Sequence, residues 1–177
     1  MANFIIIMKI FYGAAIQGAK DRGERAAVNR YLIDLIRKEG YEVVGEHTTG
    51  TNREETAQFL ERTIGPLPPP GIERTHYVRR KMIELVEGDI AGAVFEVSVP
   101  SLGTGIEIAH AYLRPRRGLP EIPILGLYQR DYWPNRLSSM VLGISEEELP
   151  NFQLKVYADL EEAEQYILQF FRKLRDK

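Results

Sequence analysis

Ile90-Ala91-Gly92-Ala93-Val94-Phe95-Glu96-Val97-Ser98-Val99-Pro100-Ser101-Leu102-Gly103-Thr104-Gly105-Ile106-Glu107 reads as a strand, a turn and the start of a helix. Residues 90–97 form a short apolar run, the pattern of a strand covered on both faces. Pro100 has no N–H to give to a ladder. Two glycines follow, and a helix is predicted over about Thr104 to Leu113. A strand that feeds a helix through such a turn is the repeating unit of a parallel sheet.

The same alternation extends in both directions. Ile5 to Tyr12 is an apolar run that predicts the first strand, ended by Gly13-Ala14-Ala15. The apolar start at Met1 is too short to span a bilayer and lacks the flanks of a signal peptide, so it reads as the lead-in to that strand. Helical spacing from about Arg22 to Glu39 runs through Ala26, Leu32, Ile33, Leu35 and Ile36, with Gly40 as its stop. Tyr41 to Gly45 is a second strand, and Asn52 to Arg62 a further helix. Gly65-Pro66-Leu67-Pro68-Pro69-Pro70-Gly71 excludes a regular element and predicts a stiff surface loop. Glu73 to Glu87 is helical again. Ile122 to Tyr128 predicts a fourth strand, Trp133 to Leu142 a short helix and Phe152 to Tyr157 a fifth strand. Asp159 caps a last helix to about Leu174.

Strands alternating with helices predict one α/β domain over residues 1–177. The expected architecture is a flavodoxin-like (Rossmann-like) three-layer sandwich around a five-stranded parallel sheet, order 2-1-3-4-5. Ligands of such sheets bind beyond the carboxyl ends of the strands, where strand order reverses between strands one and three. That rule selects the turns after Tyr12, Val44 and Val97.

The 177 residues are 44% hydrophobic and 27% charged, with a formal net charge of -2. No global field draws the chain to a nucleic acid polymer or a membrane surface. The absence of cysteine excludes a disulfide scaffold, a cysteine–zinc site and a thiol nucleophile. No His, Asp or Glu pattern has metal-ligand spacing, so neither metal nor cofactor is expected. A cytoplasmic location is expected in the absence of targeting signals.

The turn at Ser101 carries the chemistry. Gly103 and Gly105 let backbone N–H groups approach a ligand, and the opening turn of a helix favours an anion such as phosphate. Ser101 and Thr104 add hydroxyls. Glu107 stands one turn into the helix, where the dipole favours its ionised form, suited to a nucleophile. The alternative is an ordinary strand-to-helix turn with an exposed Glu. His47 follows the second strand and is either a hydrogen-bonding group at the cleft or a solvated side chain. Tyr12 either orients a carboxylate through its phenol or is an aromatic core residue. Gly13 opens the turn after it. Ser138, Ser139 and Arg136 are further phosphate candidates. His76 and His110 read as ordinary helix residues.

Phe11-Tyr12-Gly13 with Gly18 and Asp21-Arg22, then Glu46-His47, then Glu96 through Glu107, then Arg136-Leu137-Ser138-Ser139-Met140 resemble the 2'-deoxynucleoside 5'-monophosphate N-glycosidases of the nucleoside 2-deoxyribosyltransferase superfamily. The block Glu96–Glu107 is the specific part. The resemblance implies a homodimer with a shared active site that hydrolyses the N-glycosidic bond of a nucleoside 5'-monophosphate. It implies Glu107 as the nucleophile and Ser101 as a phosphate ligand. Ser138 would bind phosphate from the partner subunit, and His47 would lie near the base. A covalent glycosyl-glutamate intermediate and net retention are expected. Three features depart from the family. Lys81 stands where an aspartate is usual, with Asp89 or Glu84 as candidate substitutes though neither is a clean match, and Gly13-Ala14-Ala15-Ile16-Gln17-Gly18 replaces a polar turn that carries an arginine. The family tyrosine of strand one aligns with Ile10, two residues before Tyr12. The competing expectations are a deoxyribosyltransferase that passes the sugar to another base, and a nucleotide-binding module without turnover.

Overall fold

A computed structural model describes residues 8–15, 18–132 and 136–176. Five parallel strands form one sheet: β1 (Lys9–Ala14), β2 (Glu42–Val44), β3 (Gly92–Glu96), β4 (Ile124–Gln129) and β5 (Phe152–Tyr157). Their spatial order is β2-β1-β3-β4-β5, the flavodoxin-like order expected from the alternation. Register pairs Phe11 with Val44, Ala14 with Glu96, and Glu96 with Leu127. The helices are α1 (Arg22–Lys38), α2 (Arg53–Ile64), α3 (Ile72–Val86), α4 (Leu102–Tyr112), α5 (Ser139–Leu142) and α6 (Leu160–Arg175).

Strand alternation sorts the core into two layers. Ile10, Tyr12 and Ala14 of β1 join Val94, Leu125 and Leu127 under α1 and α6, where Leu32, Ile33, Ile36, Ile167 and Phe171 pack. Phe11, Ala93, Phe95 and Ile124 face the other way, under Met82 and Val86 of α3 and Ile108 and Ala111 of α4. Burying each such large apolar side chain contributes roughly 1.5–3 kcal/mol. The chain leaves β1 for the α1 face and leaves β3 for the α4 face. A crevice therefore opens between their carboxyl ends.

Local chemistry starts the helices. Asp21, Asn52, Ser101 and Asp159 each accept an N–H of the first turn in a side-chain oxygen. Such caps are worth ~1 kcal/mol each. The Ser101 cap starts α4 at Leu102, two residues before the expected Thr104, because the serine takes the Thr104 N–H and pulls both glycines into the first turn. β1 continues through Gly13 to Ala14, since both pair with β3. The short helix expected over Trp133–Leu142 is confined to Ser139–Leu142, where Ser138 caps it. Trp133 itself and the lead-in Ile5–Ile7 lie outside the described residues.

A buried polar network closes the carboxyl edge on the α1 face. Arg25 lies 3.5 Å from Glu96, and both are at most 3% exposed. Tyr157 donates to Glu96 at 3.0 Å, Ser98 donates to it as well, and Arg25 donates to Gln129 at 2.8 Å. Burial pushes the Glu96 carboxyl up, with Arg25 and Ser98 opposing. Removing one partner of such a pair costs about 3–5 kcal/mol, because it leaves an uncompensated buried charge.

Candidate active site

Gly13 and Glu107 meet at the switch point. A Cβ on Gly13 would stand 3.0 Å from Glu107 Oε2 and 2.6 Å from two ring atoms of Phe95. Gly13 belongs to the face of β1 that looks toward α4, so its missing side chain leaves the space that the carboxyl occupies. Glu107 as a residue is half-buried, but its carboxyl is turned inward against β1. Burial pushes its pKa up to about 7. The helix dipole was expected to favour the ionised form; desolvation acts the other way, and among the described residues no ion pair to the carboxyl offsets it.

Glu107 opens onto a cleft of about 460 Å³. Its α4 wall is Gly103, Ile106 and Glu107. Its α3 wall is Arg74, Thr75, Val78, Arg79, Met82 and Ile83. Thr104 N–H is taken by the Ser101 hydroxyl at 3.3 Å, and Gly105 N–H by the Ser101 carbonyl at 3.0 Å. That leaves the N–H groups of Leu102 and Gly103 as the open donors of the first turn. The Ser101 oxygen accepts a bond, and its O–H remains available to donate. A Cβ on Gly105 would meet nothing within 4 Å, so the protein itself does not require that glycine for space.

The other candidates sit around this centre rather than in it. Tyr12 is fully buried on the opposite face of β1, and its phenol donates to Asn29 Oδ1 at 2.9 Å. The structure does not bring that phenol to Glu107, because residues 12 and 13 point to opposite sides of the sheet. Asn29 in turn donates to the Thr48 carbonyl at 2.9 Å, tying Tyr12 to the 3₁₀ turn Glu46–Thr49 that holds His47. That turn presses close to β1: Gly45 has φ 125°, and a Cβ there would fall 1.9 Å from the Tyr12 carbonyl oxygen. His47 is 6% exposed and its Nδ1 has no hydrogen-bond partner among the described residues. Burial lowers its pKa to about 4, so it is neutral near pH 7.

Ser138 caps α5 by accepting the Met140 N–H at 3.3 Å and does not line the cleft of its own chain. Arg136 is exposed on the same loop. Lys81 pairs with Glu84 at 2.7 Å and is not part of the cleft wall. Asp89 precedes β3 at its amino end, a five-residue strand away, roughly 16 Å by strand rise. His110 contacts Glu87 at 2.6 Å, also away from the cleft, and His76 is exposed on α3. Sequence reading missed Arg74, Thr75 and Arg79. Their signal was present in the i, i+4 spacing of Thr75, Arg79 and Ile83, but only the packing of α3 on α4 turns that face toward Glu107.

Among the described residues, no group of three or more His, Cys, Asp or Glu side chains could hold a metal, and no helix is long and apolar enough to cross a membrane. No family model matches the sequence. Curated relatives do. A Thermofilum pendens protein is 32% identical over 156 residues, covering 88% of this chain and 90% of the relative. Its name is a provisional 2'-deoxynucleoside 5'-phosphate N-hydrolase 1. Relatives with the same provisional name occur in Methanosarcina mazei, 29% identical with 93% of this chain and 84% of the relative covered, and in Methanosarcina barkeri, 28% identical with 92% and 84% covered. With a carboxyl on the bare backbone of β1, a donor-bearing helix start beside it and this level of identity over nearly the whole length, the chain belongs to the 2'-deoxynucleoside 5'-phosphate N-hydrolase family.

Proposed function

We propose that the protein hydrolyses the N-glycosidic bond of 2'-deoxynucleoside 5'-monophosphates. The products are the free base and deoxyribose 5-phosphate. The observation that carries this reading is the placement of the Glu107 carboxyl against Gly13, within a cleft that also holds the open N–H of Gly103 at the start of α4. A carboxylate there has one side against the protein and the other toward the ligand.

In the proposed reaction the 5'-phosphate lies against the first turn of α4, accepting from Ser101 and the Leu102 and Gly103 amides. Glu107 must be ionised to attack. Its oxygen forms a bond to C1' as the C1'–N bond breaks, and the base leaves with the bonding electron pair and takes up a proton from solvent. Water then adds to C1', releasing Glu107 as carboxylate and passing its proton to solvent. Buried Tyr12, tied through Asn29 to the Thr48 carbonyl, positions the turn that carries neutral His47 at the base end of the crevice. A homodimer would bring Ser138 of the second subunit to the phosphate. Met140, 82% exposed beside Ser138, and Leu102, 90% exposed at the start of α4, support a surface covered by a second copy.

The test is base release from deoxynucleoside 5'-monophosphates by wild type and Glu107→Gln, with and without a second free base. Free base formed by wild type alone supports hydrolysis. A new nucleotide appearing only with the second base would make the protein a transferase. Binding without release by wild type would make it a nucleotide-binding module. Acid-quenched peptides carrying a sugar phosphate on Glu107 would support the covalent step. Light scattering that gives a monomer at working concentration would remove Ser138 from the phosphate site.

A further inference from the structure

The α3 wall of the cleft divides into two halves. Val78, Met82 and Ile83, with Ile106 across from them, give an apolar surface. Arg74, Thr75 and Arg79 give a cationic and hydroxyl-bearing one toward the amino end of α3. The neighbouring cations on this helix are already engaged, since Arg80 and Lys81 both pair with Glu84. Arg79 is different. It has no ion pair or hydrogen bond among the described residues, although it lines the same cleft as Glu107. Arg74 gives its Nε to the Pro68 carbonyl at 2.5 Å, which fixes its stem on the proline loop, and its terminal nitrogens have no acidic partner among the described residues.

Two guanidiniums without a counter-ion among the described residues, a hydroxyl, and the open end of a helix across the gap form a site for an anion of more than one charge. Guanidinium presents paired N–H groups that match phosphate oxygens two at a time. Glu107 is the sole carboxyl among the residues lining the cleft. An anionic ligand therefore meets one repulsive group and two attractive ones.

We propose that Arg79, supported by Arg74, grips the phosphate of the substrate from the α3 wall and so determines that the cleft takes a phosphorylated nucleoside in preference to the unphosphorylated one. This rests on the hydrolase reading above. The phosphate is then held from both sides, by amide and serine donors of α4 and by the arginines of α3. The apolar half of the wall is left for the sugar and base.

Two measurements on Arg79→Gln, Arg79→Lys and wild type test this. The first is kcat/KM for a deoxynucleoside 5'-monophosphate and for the matching deoxynucleoside. The second is calorimetric titration with inorganic phosphate, which needs no turnover. Arg79→Gln is expected to lower kcat/KM for the nucleotide about 10–100-fold, mainly through KM, and to move the nucleotide-to-nucleoside ratio toward one. Phosphate binding is expected to weaken about tenfold or more, with Arg79→Lys between the two because it keeps the charge but not the fork. Equal loss on both substrates, or unchanged phosphate affinity, overturns the proposal. If wild type releases no base from any nucleotide, the hydrolase reading fails, and the phosphate titration still decides whether Arg79 holds an anion. Arg79 is exposed on its helix, so the variant is expected to retain the fold, with circular dichroism as the control.

Discussion

The Oε2 of Glu107 lies 3.0 Å from the point where a Cβ on Gly13 would stand, so the α4 carboxyl rests on the bare backbone of β1. A glycine is needed here for close approach rather than for an unusual φ, because Gly13 is an ordinary member of the ladder paired with Phe95.

Gly13→Ala is expected to cost stability and activity separately. The new methyl would lie 2.6 Å from the Phe95 ring, an overpacking worth about 1–3 kcal/mol in urea unfolding. It would also push the Glu107 carboxyl out of place, and base release is expected to fall about 100-fold. The double variant Gly13→Ala, Phe95→Leu makes room beside the ring and should regain stability without regaining activity. Recovery of both would show that crowding of the carboxyl is immaterial.

Glu107 should give the pH–rate profile its acid limb. In the proposed reaction only the ionised form attacks, and its pKa in the unliganded protein is about 7. The kcat/KM for nucleotide should therefore rise through about pH 7 and level off above it. The sign of the stability effect is the opposite. Because burial raises the folded-state pKa, the native state holds its proton more tightly than the unfolded chain, and stability is lost as pH rises toward and through about 7. Glu107→Gln removes that loss. It should melt higher than wild type at pH 8, by roughly 2–8 °C, and show little of this difference at pH 5. Equal melting temperatures at pH 8 would mean that the carboxyl is not desolvated.

Ser101 has two separable duties. Its oxygen caps α4, and in the proposed reaction its O–H donates to the phosphate. Ser101→Ala should cost ~1 kcal/mol of stability and weaken nucleotide binding. Ser101→Asp keeps a capping oxygen, so stability should return, while its negative charge repels phosphate and nucleotide KM should rise further than in the alanine variant. A lower KM in the aspartate variant would place the phosphate elsewhere.

His47 should make the protein acid-sensitive. Burial lowers its pKa from 6.5 to about 4, so the unfolded chain binds the extra proton first as pH falls. Stability present above pH 6.5 is lost between there and about pH 4, by up to about 3 kcal/mol. His47→Gln should flatten that part of the stability curve and leave the acid limb near pH 7 in place. Loss of the limb in this variant would reassign it from Glu107 to His47.

The sequence by itself determined the architecture and singled out Glu107 as the candidate reactive group. Apolar runs, helical spacing and the glycine-rich turn at Ser101 are local patterns, and backbone sterics with short-range capping turn them into a five-stranded parallel sheet of order 2-1-3-4-5. The switch-point rule then set Glu107 beside the end of β1. Tertiary structure decided the rest. Residue alternation sends the Tyr12 phenol to α1 and leaves Gly13 facing α4, a difference of one position that motif spacing does not register. Packing of α3 on α4 brings Arg74, Thr75 and Arg79 to the cleft while Lys81 turns away to Glu84. The charge state of Glu107 also belongs to this level. A helix dipole can be read from position in the sequence, but desolvation sums over everything packed around the carboxyl, and it pushes the pKa up.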